Sequence, residues 1–118
     1  MSLQDEIAKA IGAHGMWKQR LKQAIDTGSS EFTVDRVKAD NNCDFGKWLY
    51  SLSDNEKAET HFKTVRELHA EFHKAAADVL GKALKGDKTA ATSSMSGAFT
   101  TSSSKLTSAM MAWKSAAH

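Results

Sequence analysis

The chain has 118 residues, 41% of them hydrophobic and 25% charged, which indicates one folded domain over residues 1–118 rather than a disordered chain. The formal net charge is only +2, so the sequence offers no strongly basic surface for phosphates and excludes nucleic acid as the expected partner. There is no apolar run of the roughly 20 residues that cross a bilayer, no signal peptide and only one cysteine; we therefore expect a cytoplasmic chain without membrane contact.

The first predicted element is a long amphipathic helix over residues 3–27. Proline is absent from the chain, so the breaks between helices must come from glycine and polar clusters. Gly28 is expected to end this helix as a left-handed cap. Its apolar positions recur every three or four residues: Leu3, Ile7, Ile11, His14, Trp17, Leu21 and Ile25.

Residues 31–52 have a less regular pattern. Val34 and Val37 indicate a short helical or irregular segment. The polar residues 40–42 are interpreted as a break and a cap, and they precede a short predicted helix over residues 43–52.

Two further long helices are predicted in the second half of the chain. Ser53 and Glu56 form a capping box, and the helix that it opens is expected to run to about Leu84. The last helix is predicted over residues 87–116, although its many serines and threonines are mediocre helix formers. A flexible serine-rich linker at residues 92–105 is the alternative. The apolar positions of the last helix are Ala91, Met95, Ala98, Ser102, Leu106, Ala109 and Trp113.

Three long helices and a shorter one, without a strand signal, predict an all-α fold. The expected architecture is an antiparallel four-helix bundle with a short additional helix that carries the cysteine. Apolar side chains near the C-terminus, Met110, Met111 and Trp113, exceed what a bundle of this size easily buries, so we expect a homodimer.

Four side chains form a candidate metal site: His14, Cys43, His69 and His73. His69 and His73 are four residues apart and share one helix face, whereas His14 lies on the apolar stripe of the first helix, where an imidazole needs a partner. Three imidazoles and one thiolate complete the tetrahedral shell of Zn²⁺ without an open position, which disfavours hydrolysis and predicts a protein that is not an enzyme.

Spacing alone leaves other interpretations open. Histidine pairs at this spacing are frequent in helices, and a lone cysteine is usually a small buried hydrophobe. Inward carboxylate pairs would favour a hemerythrin-like or di-iron bundle, but the carboxylates fall mostly off the apolar stripes. His61 lies about 12 Å along the helix from His69 and is not expected to bind the metal.

The residues around the cysteine carry a more specific signal. The run from Cys43 to Leu49, with Phe45, Gly46 and Trp48 inside it, resembles the signature of the chemoreceptor zinc-binding (CZB) domain family. These domains are bacterial four-helix bundles that hold zinc with three histidines and one cysteine. The resemblance spans nearly the whole chain. All four ligand positions of the family match in order: His14, Cys43, His69 and His73.

The resemblance implies a sensory function. Such domains regulate chemotaxis receptors and diguanylate cyclases, the latter in cyclic di-GMP signalling, usually as homodimers. Their input is zinc, or an oxidant such as hypochlorous acid that acts at the zinc-bound cysteine. Cys43 is therefore the expected redox-reactive residue. The output comes from a separate signalling partner or from a fused domain, and the sequence does not distinguish these.

Residues around the metal have expected supporting roles. Metal-bound imidazoles usually donate their second N–H, and we expect carboxylate acceptors, with Asp40, Asp44, Glu67 and Glu71 as candidates. Phe45 and Trp48 are expected to line the site and exclude water.

Overall fold

The computed structural model describes residues 3–30, 33–39 and 44–116; Cys43 and Asp40 lie outside them. Within these ranges all regular structure is helical, which confirms the all-α fold. None of the described helices is long and apolar enough to cross a membrane. The α-helices are α1 (Leu3–Thr27), α2 (Val34–Lys38), α3 (Asp44–Ser51), α4 (Asp54–Lys57), α5 (Thr60–Leu84), α6 (Lys88–Ser94) and α7 (Thr100–Ala116).

Helix α1 has the predicted bounds, and the predicted stripe is buried apart from Leu3 and Ile11, which are half-buried. Ile7 and Leu21 are fully enclosed, and Trp17 is buried between them. Gly28 follows the last helical residue with φ 72°, and its N–H donates to the carbonyl of Ala24 at 2.8 Å. Glycine adopts this left-handed conformation without a steric penalty, so the predicted cap is confirmed.

Helix α2 confirms the short helical segment expected around Val34 and Val37. The hydroxyl of Thr33 accepts a hydrogen bond from the Arg36 N–H at 3.3 Å and so caps the N-terminus. Val37 is buried, and α2 packs along α5. The apolar side of α2 thus compensates for a length at which an isolated helix would not form.

The prediction of a helix running from the capping box to Leu84 was wrong in one respect. Ser53 and Glu56 do form the capping box, but it opens only the four-residue α4. Glu59 then adopts an extended backbone (φ −70°, ψ 144°) before α5 begins. The break precedes Phe62, the first buried side chain of α5, so no apolar burial favours a continuous helix there.

The end of α5 is a Schellman motif. Gly86 has φ 80° and donates to the carbonyl of Ala83 at 3.0 Å, while the Asp87 N–H donates to the carbonyl of Lys82 at 3.1 Å. The Asp87 carboxylate then accepts the Ala90 N–H at 3.1 Å and caps α6. One residue pair, Gly86-Asp87, therefore ends one long helix and starts the next.

Residues 88–116 are helical throughout, so the alternative of a flexible linker at 92–105 was wrong. A π-helical turn, Met95–Phe99, joins α6 to α7, and the Thr100 hydroxyl donates to the Met95 carbonyl at 2.6 Å. The wider turn changes the register, so Phe99 is buried while the predicted stripe residue Ala98 is exposed. The serine-rich helix is stabilised by the packing of its large buried side chains, which are Phe99, Leu106, Met110 and Trp113.

Helix α5 is the central element, because it contacts every other described helix. Helix α1 packs against both α5 and the α6–α7 segment, so three long helical segments form an elongated bundle of 45 × 21 × 20 Å. The short helices α2, α3 and α4 lie against α5. The specific antiparallel four-helix arrangement stays a prediction.

The apolar surface expected near the C-terminus is smaller than predicted. Met110 and Trp113 are buried, and Trp113 packs against Trp48 and Phe62 with ring centroids 5.8 and 6.3 Å apart. Met111 alone of the three named residues is exposed. The homodimer therefore loses its argument from composition and rests on the family resemblance.

Two glycine substitutions are expected to change stability in opposite directions. Gly86→Ala should lower the free energy of unfolding by about 1 kcal/mol or more, because alanine is strained at φ 80°. Gly12→Ala should raise it by up to about 1 kcal/mol, because Gly12 is helical and an added Cβ meets nothing within 4 Å. Urea denaturation followed by circular dichroism measures both, and destabilisation by Gly12→Ala would contradict the assigned environment.

Candidate metal centre

Three histidines meet at one point between α1 and α5. His14 comes from α1, and His69 and His73 come from adjacent turns of α5; all three are buried. The Nε2 atom of His69 lies 3.0 Å from Nε2 of His14 and 3.1 Å from Nε2 of His73. The structure thus brings together the three histidines that the sequence singled out, while Cys43 lies outside the described residues.

The donor atoms fit a small cation such as Zn²⁺. In tetrahedral coordination with Zn–N bonds of about 2.0–2.1 Å, neighbouring nitrogens are about 3.3 Å apart, close to the two observed separations. A single proton on His69 Nε2 can lie along only one of the two short N···N pairs. A cation among the three nitrogens would interact favourably with all of them, and imidazole is a ligand that zinc accepts readily.

Backbone carbonyls orient two of the imidazoles. His14 Nδ1 donates to the carbonyl of Ala10 at 2.7 Å, and His73 Nδ1 donates to the carbonyl of Val37 at 2.9 Å. A neutral imidazole carries one N–H, so both bonds select the tautomer in which Nε2 has a lone pair. These lone pairs face His69 and the centre of the cluster.

The imidazole N–H acceptor is a group other than the predicted carboxylates at two of the three histidines. Glu67 and Glu71 are exposed on α5, and Asp40 and the side chain of Asp44 lie outside the described part of the chain. Backbone carbonyls accept the Nδ1–H hydrogen bonds of His14 and His73 instead. Ala10 could have been found from the sequence, because it lies one turn before His14; Val37 carries no signal, because only packing brings α2 to α5.

Aromatic rings surround the cluster. Phe45 of α3 contacts the rings of His14 and His69 edge to face, at centroid distances of 5.8 and 5.3 Å, which confirms its expected place at the site. Trp48 is half-buried and stacks on Phe45 at 5.6 Å. Phe72, which the sequence analysis did not assign to the site, packs 5.1 Å from His14. The apolar rings keep the local dielectric low and strengthen electrostatic interactions inside.

Burial lowers the pKa of two of the histidines. Removal from water is the main cause for His14, whose pKa falls from 6.5 to about 4 although the Ala10 carbonyl opposes the change. The pKa of His69 falls to about 2, first through burial and then through the neighbouring His73 and His14. Both imidazoles are therefore neutral at pH 7, the form that binds a metal ion.

The composition of the cluster bears on the competing metal sites. Among the described residues, the cluster of side chains that could hold a metal consists of these three histidines and includes no aspartate or glutamate. Di-iron centres in helical bundles rely on several inward carboxylates, so the cluster does not favour that class. His61 is half-buried and is not a member of the cluster.

Metal-free protein is expected to lose stability as the pH falls from 7.5 to 5.5. The pKa of His14 is about 4 in the folded state and about 6.5 when unfolded, so the unfolded chain binds more protons in this range and is favoured by acid. Melting temperatures in the presence of a chelator measure this effect. His14→Gln should make the pH dependence less steep without abolishing it, because the pKa of His69 is lowered as well. His61→Gln is the control outside the cluster, and an equal change in both variants would contradict the assignment.

Comparison with known proteins adds a finding independent of the geometry. The family model described as the chemoreceptor zinc-binding domain matches residues 14–80, more than half of the chain. The matched range begins at His14 and includes Cys43, His69 and His73. Neither a curated protein nor a solved structure was found to match. On the evidence of this match, the chain belongs to the chemoreceptor zinc-binding domain family.

Proposed function

We propose that this domain is a regulatory sensor that binds one Zn²⁺ through Nε2 of His14, His69 and His73 and the thiolate of Cys43. The convergence of three buried Nε2 atoms, two of them with their lone pairs oriented by backbone carbonyls, carries this proposal. The family is a zinc-binding signalling domain and not a catalytic one, which agrees with a structural or sensory role for the metal.

Chain connectivity supports Cys43 as the fourth ligand. Phe45, two residues further along, contacts the rings of His14 and His69. Two residues span at most about 7 Å, a length of chain that is compatible with ligation by a thiol at position 43. Bound zinc would hold the cysteine as its thiolate and leave no position for an activated water.

A site of this kind can couple its state to the arrangement of helices. The three histidines join α1 to α5, and Phe45 brings α3 against the same cluster. Loss of one ligand would remove a constraint between these elements and allow their packing to shift. The signal is then either zinc occupancy or the oxidation state of the thiolate.

Oxidation at Cys43 gives the redox version of the sensor. The thiolate attacks the chlorine of hypochlorous acid and hydroxide leaves, which gives a sulfenyl chloride. Hydroxide then attacks its sulfur and chloride leaves, so that thiolate and hypochlorous acid become sulfenic acid and chloride. Sulfur loses two electrons and chlorine gains them. The sulfenic acid is a poorer ligand than the thiolate, and thiols can reduce it back.

The resemblance supplies the proposed output and setting. The domain would act in the cytoplasm as a homodimer and regulate a chemotaxis receptor or a diguanylate cyclase, either as a separate partner or within a longer chain. These partners rest on the family and not on a surface of this structure.

Purified protein is expected to contain about one equivalent of zinc, and substitution of a ligand should weaken its binding. Cys43→Ala and His73→Ala should each raise the dissociation constant by orders of magnitude, because each leaves the tetrahedral shell incomplete. Elemental analysis and competition with a chromogenic chelator provide the measurements.

His61→Ala is the matched control, because His61 lies on α5 outside the cluster. Its zinc affinity should equal that of the wild type. A comparable loss in His61→Ala, or wild-type affinity in Cys43→Ala, would refute the ligand set. Iron in place of zinc would return attention to the oxygen-handling bundles.

Stoichiometric hypochlorous acid is expected to modify Cys43 before the exposed methionines. Met16 and Met111 are 53% and 57% exposed and compete for the oxidant, whereas Met110 is buried and serves as an internal reference. Mass spectrometry of peptides gives the order of oxidation. Oxidation of Met16 and Met111 while Cys43 stays intact would leave zinc itself as the signal.

A further inference from the structure

One hydrogen bond joins the histidine cluster to α2. His73 Nδ1 donates to the carbonyl of Val37 at 2.9 Å, across 36 positions of the chain. Val37 is the fourth of the five residues of α2, so its carbonyl is among those at a helix C-terminus that lack an intrahelical donor. The contact therefore satisfies an acceptor that has no donor within α2, and it selects the tautomer of His73.

Two local features hold this carbonyl in place. At the start of α2, the Thr33 hydroxyl caps the helix through the Arg36 N–H. Along its length, α2 rests on α5: Val37 is buried, and a Cβ built at Gly81 would lie 3.7 Å from Cγ2 of Val34. Val37 thus lies beside His73 and Val34 lies beside Gly81, two turns further along α5.

The position of α2 and the chemistry of His73 depend on each other. When His73 binds a cation through Nε2, its proton must reside on Nδ1, and the acceptor for that proton is the α2 carbonyl. If α2 moves away, His73 loses the group that fixes its tautomer and ring orientation. Partners of metal-bound histidines typically change metal affinity by about 10–100-fold when they are removed.

We propose that α2 is a positioning element of the metal centre, which sets zinc affinity through the hydrogen bond from His73 Nδ1 to the Val37 carbonyl. This inference rests on the proposed zinc site and adds a means of control to it. The connection runs in both directions: zinc binding holds α2 on α5, and a partner that lifts α2 would weaken zinc binding without touching a ligand.

Substitutions at Gly81 test the role of α2 without removing a ligand. Gly81→Ile should raise the zinc dissociation constant about tenfold or more, because its stiff β-branched side chain occupies the space of Val34 and displaces α2. Gly81→Ala is the matched control, since a Cβ 3.7 Å from Val34 is an ordinary contact. Competition titration of the full 118-residue chain with zinc measures each affinity.

A second pair of variants acts at the other end of α2. Thr33→Ala removes the cap and should weaken zinc binding in the same direction, and Thr33→Ser should restore it. Ser53→Ala removes the cap of α4, another short helix, and should leave zinc affinity unchanged. Circular dichroism of each metal-free variant monitors folding separately.

Ring nitrogen NMR distinguishes positioning from a general effect on folding. In the zinc-loaded wild type, the Nδ1 proton of His73 should be observed and exchange slowly with water; in Gly81→Ile it should exchange rapidly. Wild-type affinity in Gly81→Ile or Thr33→Ala would overturn the role of α2, and so would an equal loss in Gly81→Ala or Ser53→Ala. Failure of the wild type to bind zinc would instead overturn the proposed function, and this inference with it.

Discussion

The burial of three imidazole rings at one point between α1 and α5 constrains much of the remaining structure. A polar ring taken from water destabilises the fold unless its nitrogens find partners, and carbonyls of Ala10 and Val37 provide two of them. The Nε2 atom of His69 lies 3.0 Å from Nε2 of His14 and 3.1 Å from Nε2 of His73, an arrangement that a cation would stabilise. Helix α2 is only five residues long, and the carbonyl that it supplies helps to hold it against α5.

The surroundings of the cluster serve the same constraint. Phe45 and Phe72 enclose the imidazoles, and Trp48 supports Phe45 from the less buried side. Low polarity keeps His14 and His69 neutral at pH 7, which suits metal binding and makes the cluster sensitive to acid when no metal is bound. The packing that stabilises the bundle and the environment that suits a metal are thus provided by the same side chains.

Local signals in the sequence predicted those features that depend on a few neighbouring residues. Gly28 takes the left-handed conformation that its position predicted, and Ser53 with Glu56 forms the expected capping box. The errors arose where packing competes with local preference. The capping box opens only one turn of helix. Because of the π-helical turn Met95–Phe99, Phe99 is buried in place of Ala98, which the periodicity had predicted to be buried.

The sequence by itself determined the all-α class, the long helices and the three histidines that meet, because periodicity and caps depend on short separations along the chain. The match to the chemoreceptor zinc-binding domain agrees with the prediction that these histidines form a zinc site. Only the tertiary structure decided that the Val37 carbonyl accepts a hydrogen bond from His73 and that Phe72 lines the cluster. The burial of Met110 and Trp113 was likewise decided by packing. Such contacts depend on how helices pack, and residues far apart in the chain leave no local pattern that would reveal them.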